Sequence, residues 1–451
     1  MEKLRTYTFV CLVLFALGLL RVATAGWDPI QQLTSGPDNA SLPTKGRSCA
    51  TQGNYVHLAY AGKLSATDVV LYMRSTDQGS TWQAPVFLDS ATFGNRFGLY
   101  ADGAGVLHFF NCRKYTTNIY YRRSTNNGET WEPAVVLTSP YQEPAYAADD
   151  EARAYVLDVN SSGDRVQLWR TTNSGQNWEG PIVVCQGAKY DAVRVTADHQ
   201  GRVHAIWRCG TTVGQVWYAR STDNGLSWST PYQTTSYDSG ATTKGVYSDR
   251  SQAIVITFSC NREDDYVVSS NGGLSWGTPR ALPWPGLGIE DCWADEYNGL
   301  HALGLMSSSR VMYFRGNEAA SGWGDTVELT GFPSGAVRQN PMVVIDDDHN
   351  VHAFWIGRES GTKQVYYRRG LGVGGAAEPI SPQPGRGPRL LPNPARTVVF
   401  LPGHDPVQLF NHLGQKVAEL HPGTNNISSL PNGLFFATSA GSGAATCLVK
   451  R

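Results

Sequence analysis

The chain has 451 residues, and its 37 lysines and arginines nearly balance 38 aspartates and glutamates, for a formal net charge of -1. This balance excludes a protein that binds nucleic acid by neutralising phosphates with a basic surface. The 48 glycines, 24 prolines and 11% aromatic residues are typical of short strands joined by tight turns, and they argue against a disordered chain.

The first 25 residues are predicted to form a secretory signal peptide. Lys3 and Arg5 precede an apolar stretch at 9–20, and Ala-Thr-Ala at 23–25 is a small-residue cleavage site. No later segment approaches the roughly 20 apolar residues that a membrane-spanning helix needs. We therefore expect an exported, soluble mature chain that begins at Gly26 and has no transmembrane segment.

Seven cysteines would remain after cleavage, and their spacing argues against a metal site. They contain no C-x-x-C pair and no histidine at a zinc-ligand spacing, so neither a metal nor another cofactor is predicted. Two interpretations stay open, namely scattered buried thiols or one or two disulfides permitted by an oxidising compartment. The seven are Cys49, Cys112, Cys185, Cys209, Cys260, Cys292 and Cys447.

A short phrase recurs along the chain and sets its organisation. Its first copy is Ser75-Thr-Asp77-Gln-Gly79-Ser-Thr-Trp82, and the closing tryptophan returns every 47 to 50 residues. The Asp or Asn side chain suits a turn by bonding nearby backbone N–H groups, and the glycine accepts a positive φ. We expect each tryptophan to start the strand that follows the turn. The recurring tryptophans are Trp82, Trp131, Trp178, Trp228, Trp276 and Trp323.

Between these phrases lies a second recurrent piece, a strand, a turn and another strand, so each unit should contain four antiparallel strands. Units of this kind at a period of 40 to 50 residues predict an all-β fold, the β-propeller. The last unit ends near Arg369 without a tryptophan phrase, while residues 26–34 resemble the missing strand. The sequence therefore predicts seven blades closed by the N-terminal strand, with six as the alternative.

The repeated phrase resembles the Asp-box, or BNR repeat, of sialidases, and the resemblance covers residues 26–369. It implies a sialidase-like propeller fold. Asp-boxes also occur in lectins, sorting receptors and other glycosidases, so the motif does not fix an activity. Three functions therefore stay open: a glycan-binding or surface-interaction propeller, an exo-α-sialidase or related glycoside hydrolase, and a purely architectural propeller.

The period ends in a Gly- and Pro-rich linker at 370–389, and a different pattern follows at 390–451. The segments Leu391-Pro-Asn-Pro394, Val407-Gln-Leu-Phe-Asn-His-Leu-Gly414 and Asn432-Gly-Leu-Phe-Phe436 resemble the landmarks of the C-terminal sorting domain of the type IX secretion system. This resemblance implies a small β-sandwich, a partner in the secretion machinery, and a location at the surface of a Gram-negative bacterium or outside it. A small extracellular sandwich with a binding role is the alternative.

Chemistry is predicted at the end of the blades opposite the repeated turns. Aligning the units places Arg47 and Arg194 at equivalent positions where the innermost strand begins, with Arg96 and Arg338 a little earlier in their units. Guanidinium groups bind carboxylates through paired hydrogen bonds, so such a funnel suits an anionic sugar. Acids and tyrosines share the same zone: Glu143, Asp191, Glu290, Asp291, Tyr146 and Tyr190.

The sialidase resemblance implies roles for some of these residues. Arg47, in Gly46-Arg-Ser-Cys49, takes the place of the arginine in that family's Phe/Tyr-Arg-Ile-Pro motif, although the Ile and Pro are absent. Asp68 lies near the place of the acid/base aspartate. Arg194 and Arg338 would complete an arginine triad. A tyrosine, Tyr190 or Tyr146, with Glu290 or Glu143, would form the nucleophile pair.

Histidines recur at one place in the second strand of the units, and this repetition favours a packing role. We expect these histidines to have no carboxylate partner. They are His57, His108, His204, His301 and His352.

Overall fold

A computed structural model divides the chain into two compact units, Met1–Gly375 and Ala376–Arg451. The residues it describes all lie between 26 and 450. The gaps are 36–38, 45, 115–117, 141–142, 150, 199, 211–212, 249–251, 261–262, 285, 296–298, 308–309, 317–322, 331–337, 360, 373–397, 402–406, 412–414, 422 and 440–444. The predicted signal peptide and nearly all of the predicted linker therefore lie outside the described residues.

Strands are the only regular elements of the described residues, which contain no helix that could span a membrane. In the first unit they form seven antiparallel sheets, six of which are built wholly from consecutive segments of chain. The first four sheets are, in chain order, β3 (Cys49–Gln52), β4 (Tyr55–Leu64), β5 (Thr67–Ser75) and β6 (Val86–Ser90); β7 (Thr92–Ala101), β8 (Leu107–Arg113), β9 (Ile119–Ser124) and β10 (Val135–Thr138); β11 (Ala145–Ala148), β12 (Ala154–Val159), β13 (Arg165–Thr171) and β14 (Glu179–Gln186); β15 (Tyr190–Ala197), β16 (Val203–Cys209), β17 (Gln215–Ser221) and β18 (Tyr232–Gln233).

The remaining three sheets follow the same plan, and the last one also receives the N-terminal segment. They are β19 (Thr242–Ser248), β20 (Ile254–Cys260), β21 (Glu263–Ser269) and β22 (Arg280–Ala281); β23 (Leu287–Ala294), β24 (Leu300–Met306), β25 (Arg310–Gly316) and β26 (Trp323–Glu328); and β27 (Gln339–Ile345), β28 (Val351–Gly357) and β29 (Gln364–Leu371), with β1 (Gly26–Trp27) and β2 (Gln31–Gln32) pairing with β29.

The first strand of each sheet contacts the first strand of the next sheet. These contacts run from β3 through β7, β11, β15, β19 and β23 to β27, and β27 in turn contacts β3. Apolar side chains from neighbouring sheets share the clusters between them, as where Val344 and Phe354 of the seventh sheet pack with Leu58 and Met73 of the first. The architecture of this unit is that of a β-propeller, with the inner strands gathered around one centre.

The repeated turns are held by their own polar side chains. In the first, the Ser75 hydroxyl donates to Asp77 (2.7 Å) and accepts from the Gly79 N–H (2.8 Å), while Asp77 also accepts from the Thr81 N–H (2.8 Å). Asn126, Asn173, Asp223 and Asn271 accept equivalent bonds in the later turns. The expectation that the tryptophan starts the next strand was wrong in four of six repeats, where three residues separate the tryptophan from that strand; Trp323 starts its strand and Trp178 directly precedes its own.

A chain of three buried side chains, the Asp-His-Tyr column, crosses four of the sheets. In the fourth sheet, His204 Nδ1 lies 2.8 Å from the Tyr218 hydroxyl and Nε2 lies 3.3 Å from Asp198. Burial lowers the pKa of His204 despite the nearby Asp198, so the imidazole is neutral at pH 7. A carboxylate only accepts, so Nε2 carries the proton and Nδ1 accepts from tyrosine. The other columns are Asp102-His108-Tyr121, Asp295-His301-Tyr313 and Asp346-His352-Tyr367.

The expectation that the histidines lack an acidic partner was therefore wrong. The aspartate stands six residues before the histidine in all four columns, at the turn between the first two strands. The first sheet is the exception. His57 still bonds the Tyr72 hydroxyl (2.7 Å), but its Nε2 and the Gln52 Oε1 are buried without partners. A shorter turn places Gln52 in the register that aspartate holds elsewhere.

Three of the four columns, and Tyr72 of the first sheet, end against the repeated turn of the next sheet. A Cβ added at Gly273 would lie only 1.7 Å from the Tyr218 hydroxyl, and the Trp276 ring packs edge-on against Tyr218 with centroids 4.8 Å apart. Tyr72, Tyr121 and Tyr367 meet Gly128, Gly175 and Gly79 in the same way. The positive φ of Gly273 (79°) and this close approach both require glycine.

The C-terminal unit has its own core and a different topology. Strands β30 (Val398–Leu401) and β33 (Gly423–Asn426) pair, while β32 (Lys416–Leu420), β31 (Val407–Phe410), β34 (Gly433–Ser439) and β35 (Ala445–Lys450) form a four-stranded sheet in that order. Its core gathers six buried residues: Val407, Leu409, Leu420, Ile427, Phe435 and Ala437.

Replacing Tyr218 with Phe should lower the free energy of unfolding by about 1–3 kcal/mol, because it leaves the buried Nδ1 of His204 without a donor. Chemical denaturation measures the change. Tyr232→Phe is the matched control, since Tyr232 is 54% exposed and makes no such bond; it should stay within about 0.5 kcal/mol of the unmodified protein. Equal losses in the two variants would contradict a stabilising role for the column.

Candidate functional site

The inner-strand cluster comprises Arg47, Tyr100, Tyr146, Arg194, Lys244, Tyr247, Glu290, Asp291 and Trp293, which lie in or just before first strands of different sheets. β-Bulges help to bring them together. The pairing with the second strand shifts between Asp191 and Arg194 in the fourth sheet and between Ile289 and Asp291 in the sixth. A bulge redirects the side chains that follow it, so Arg194 and Asp291 do not follow simple alternation.

Arg47 is fully engaged by a carboxylate from a distant part of the sequence. Its Nε lies 3.1 Å and its Nη2 2.8 Å from the two oxygens of Asp291, and Nη2 also donates to the Cys292 carbonyl (2.8 Å). The guanidinium lies 4.4 Å from the centroid of the Trp293 ring. Burial alone would lower the pKa of Arg47, but Asp291 raises it above its ordinary value. Arg47, whose side chain is 12% exposed, therefore acts as a permanently charged bridge between the first and sixth sheets.

Arg194 is 7% exposed, and one of its hydrogen-bond donors has no partner. Its Nε donates to the Lys244 carbonyl (2.8 Å) and Nη1 donates to the Val193 carbonyl, whereas Nη2 is buried without a partner. Burial lowers the pKa of Arg194, and Glu143, Tyr247, Tyr100 and Glu290 offset part of this effect. A charged donor left without an acceptor in a buried position is costly, and an oxygen-bearing ligand could remove that cost.

Tyr100 and Tyr247 lie near these arginines, whereas the ring of Tyr146 belongs to the core between the second and third sheets. The Tyr100 hydroxyl accepts from the Arg47 N–H (3.4 Å), and the rings of Tyr100 and Tyr146 flank Gly98. Tyr146 stacks on Phe110, with centroids 4.7 Å apart, and its buried hydroxyl has no partner. Burial raises the pKa of Tyr100 to about 12 and those of Tyr146 and Tyr247 well above 10. These phenols are therefore hydrogen-bond donors at neutral pH rather than phenolate nucleophiles.

Lys244 and Glu290 form the more exposed side of the cluster. Lys244 Nζ lies 2.8 Å from Asp264 and 3.1 Å from Glu290, and the Lys244 and Glu290 side chains are 28% and 29% exposed. Burial alone would lower the pKa of Lys244, but Glu290 and Asp264 raise it overall, so its ammonium group stays charged. Solvent reaches the cluster beside this ion pair.

Of the six residues singled out as catalytic candidates, the structure gathers Arg47, Arg194 and Glu290 in this cluster. Arg338 is 1% exposed and pairs with Glu359 (3.0 Å), from the hairpin of its own sheet. Tyr190 packs edge-on against Trp207 in the core between the third and fourth sheets, with centroids 6.5 Å apart. Asp68 is exposed and lies 3.7 Å from Lys114.

Among the contacts of the described residues, none joins Tyr190 to Glu290 or Asp68 to Arg47. Asp191, another predicted member, pairs with Arg208 (2.7 Å), and Glu143 accepts from the Thr44 hydroxyl (2.8 Å). No group of three or more His, Cys, Asp or Glu side chains within the described part of the chain is arranged to hold a metal ion.

Sequence reasoning missed Tyr100, Tyr247 and Trp293, although a signal for them existed. All three occupy the same register in their sheets, directly opposite the position of the recurrent histidine, where His108, Val255 and His301 stand. An alignment of the repeats on that position would have shown an aromatic residue in three of the seven inner strands. Lys244 had no comparable signal.

Replacing Arg47 with Ala should lower the free energy of unfolding by about 3–5 kcal/mol, because Asp291 would be left as an unpaired buried charge. Arg194→Met should change it less, because the variant removes two hydrogen bonds to backbone carbonyls but also relieves the cost of the donor that has no partner, and it keeps most of the side-chain volume. Urea denaturation of both variants measures the difference. Similar losses in the two would show that the unpartnered group of Arg194 carries no cost.

No protein-family model matches the chain, and no curated protein is similar to it in sequence. The solved structures that resemble it include the polysaccharide lyase Uly1 (9% identity, TM-score 0.53, covering 76% of this chain and 99% of the lyase). They also include an ulvan lyase of family PL25 bound to -[GlcA(1-4)Rha3S]- (10%, 0.54, 75% and 95%). The NanB sialidase of Streptococcus pneumoniae has a TM-score of 0.41 at 13% identity, covering 76% of this chain and 71% of the sialidase. At these identities the two lyases establish a shared β-propeller fold across three quarters of the chain.

Proposed function

We propose that this protein is an extracellular propeller that binds glycans and that its inner-strand cluster holds an acidic sugar. The observation that carries the proposal is the buried Nη2 of Arg194, which has no partner. A carboxylate or sulfate oxygen accepts from this donor, and a charged acceptor gives the stronger hydrogen bonds. The ligand would enter beside Lys244 and Glu290.

Several features favour binding over catalysis. Arg47 and Arg338 are each paired with a carboxylate of the protein. These two members of the predicted arginine triad are therefore not available to bind the carboxylate of a substrate. Burial keeps the cluster tyrosines protonated, and Glu290 is held by Lys244. An exo-α-sialidase or related glycoside hydrolase is the alternative, and it needs an acid and a nucleophile to converge on one sugar.

The binding proposal is tested by calorimetry with the purified protein. An oligosaccharide containing glucuronate and sulfated rhamnose, the kind of unit bound to the ulvan lyase, and a sialyl-lactose serve as acidic probes, with lactose as the neutral one. We expect binding of an acidic probe and at least tenfold weaker binding in Arg194→Met, since a hydrogen bond to a charged group is worth about 1.5–3 kcal/mol.

The matched control is Arg310→Met, because Arg310 is 45% exposed and pairs with Glu328 at the surface. It removes the same charge and should leave affinity unchanged. A fluorogenic sialoside is incubated in parallel. Its hydrolysis, lost in Arg194→Met, would replace the binding proposal with the hydrolase. No binding and no turnover would leave an architectural propeller.

We also propose that the seven sheets are seven blades of a closed ring, and that residues 26–34 supply the outer strand of the last blade. Support comes from the pairing of Gly26 with Leu371 and of Trp27 with Gly370. The Arg369 guanidinium holds Asp28 (2.7 and 2.8 Å), and Trp27 packs against Tyr313 of the sixth sheet, with centroids 5.1 Å apart.

Deleting residues 26–34 should leave β29 as an exposed edge and cause aggregation. Light scattering after size exclusion and a thermal unfolding scan measure the effect, and we expect oligomers and a lower Tm. Deleting 446–451, at the other end of the chain, controls for loss of a terminal strand. A monomeric variant of unchanged Tm would contradict closure by the N-terminal strand.

Export is proposed from the sequence at both ends of the chain. The signal-peptide pattern at 1–25 and the sorting-domain landmarks in 390–451 support secretion through the type IX machinery to the surface of a Gram-negative bacterium. Sequencing the N-terminus of the exported protein tests the first step, and the expected first residue is Gly26.

A further inference from the structure

Lys244 and Glu290 occupy the same place in neighbouring sheets. In the fifth sheet the pairing of the first two strands skips Lys244, and in the sixth it skips Glu290. Both bulges lie opposite the gap between the second and third residues after the position of the recurrent histidine, where Val255 and His301 stand. A β-bulge leaves its extra residue out of the ladder and redirects the side chain. Two matching bulges thus present these side chains to each other, and Lys244 Nζ lies 3.1 Å from Glu290 Oε1.

Lys244 also connects this ion pair to Arg194. The Nε of Arg194 donates to the Lys244 backbone carbonyl (2.8 Å), while the Lys244 side chain reaches Glu290. Arg194 is 7% exposed and its Nη2 has no partner, whereas the Lys244 and Glu290 side chains are 28% and 29% exposed. One residue therefore joins a buried, unused donor to a charged pair that solvent reaches.

Asp264 holds Lys244 independently of Glu290. Its carboxylate lies 2.8 Å from Lys244 Nζ and is 11% exposed. A Cβ at Gly288 would overlap Asp264 Oδ2, so this glycine leaves the space that the carboxylate fills. Asp264 would keep the ammonium group neutralised and in place while Glu290 accepts a hydrogen bond from a ligand.

The ion pair has hydrogen-bonding capacity left over. Among the described residues, the one hydrogen bond to the Glu290 carboxylate comes from Lys244, although each carboxylate oxygen can accept more than one. A sugar hydroxyl both donates and accepts. Two adjacent hydroxyls can therefore bond the pair together, since one donates to Glu290 and its neighbour accepts from Lys244. Both bonds would be charge-assisted and hence of the stronger kind.

We propose that the ligand is an acidic sugar with two adjacent free hydroxyls, which the Lys244–Glu290 pair bonds while Arg194 Nη2 bonds an acid oxygen of the same molecule. The inference rests on the proposed binding of acidic sugars by this cluster and adds which of them are accepted. Sulfation of those hydroxyls would remove the donor that Glu290 needs and place a negative charge beside its carboxylate. The cluster therefore selects uronates and similar sugars with a free diol over sugars that are sulfated at both positions.

The test uses the full chain and the two acidic probes named above, the oligosaccharide of glucuronate and sulfated rhamnose and the sialyl-lactose. A limited amount of periodate splits the carbon–carbon bond between adjacent free hydroxyls of the glucuronate or sialic acid unit. Borohydride then reduces the aldehydes, while the carboxylate and the sulfate survive. Calorimetry compares each intact probe with its opened form, and we expect the opened form to bind about tenfold more weakly, because the bonds to the diol are lost.

Glu290→Gln keeps the shape of the side chain and removes its charge. It should weaken binding of the intact probe about tenfold and change binding of the opened probe by less than about twofold, since the opened probe no longer engages this side chain. Glu290→Asp, which keeps the charge but withdraws the oxygens by one methylene, should give the same pattern and replaces Glu290→Gln if that variant folds poorly. A thermal unfolding scan checks the folding of both.

Glu328→Gln is the matched control. Glu328 is also an ion-paired carboxylate, 26% exposed, and lies on the outer strand of the same sheet as Glu290. Its replacement should leave the affinities for both forms of the probe unchanged.

Equal binding of the intact and opened probes would overturn the diol contact, and so would a loss in Glu290→Gln of the same size for both forms. With either of these results, binding of an intact probe that is lost in Arg194→Met would still support the proposed function. Failure of both intact probes to bind would overturn the two proposals together.

Discussion

Packing between neighbouring sheets of the propeller depends on a buried tyrosine hydroxyl that makes two contacts. On one side it donates to a histidine held by an aspartate of the same sheet, and on the other it presses on a glycine in the turn of the next sheet, as Tyr218 does between His204 and Gly273. The carboxylate fixes the tautomer, the tautomer orients the hydroxyl, and the hydroxyl sets the distance between sheets. A local polar network thereby determines packing between elements that are remote in sequence.

These contacts hold neighbouring sheets together at one end of the inner strands. The other ends of the inner strands can therefore be irregular. Bulges there interrupt the regular backbone hydrogen bonds between neighbouring strands, but they let charged groups from several sheets meet in the inner-strand cluster. The two arginines of the cluster differ in their hydrogen bonding. Arg47 is matched by Asp291 with paired hydrogen bonds, whereas Arg194 contains a donor with nothing to bond. Folding requirements account for the first arginine and leave the second unexplained, which is the usual mark of a functional group.

The repeats allowed the sequence to predict the four-stranded units and the face of the molecule that carries the charges, because a period of 47 to 50 residues is a property of the chain itself. The sequence could not predict which charged residues of that face contact each other. Arg47 and Asp291 are 244 residues apart and meet only because the inner strands gather around one centre. Tyr190 lies close to Arg194 in sequence and was therefore predicted at the site, but its ring lies in the core between the third and fourth sheets. The aspartates of the columns follow a pattern in the sequence, because each lies six residues before its histidine.

The first sheet gives the protein a weak point in acid. His57 has no carboxylate beside it, and burial together with the charge of Arg74 lowers its pKa to about 3. In the unfolded chain the same histidine binds a proton near pH 6.5. The proton is therefore taken up preferentially by unfolded molecules, and stability falls progressively as the pH drops from about 6.5 toward 3. The absence of an aspartate beside His57 thus makes the stability of the propeller depend on the pH of the surrounding solution.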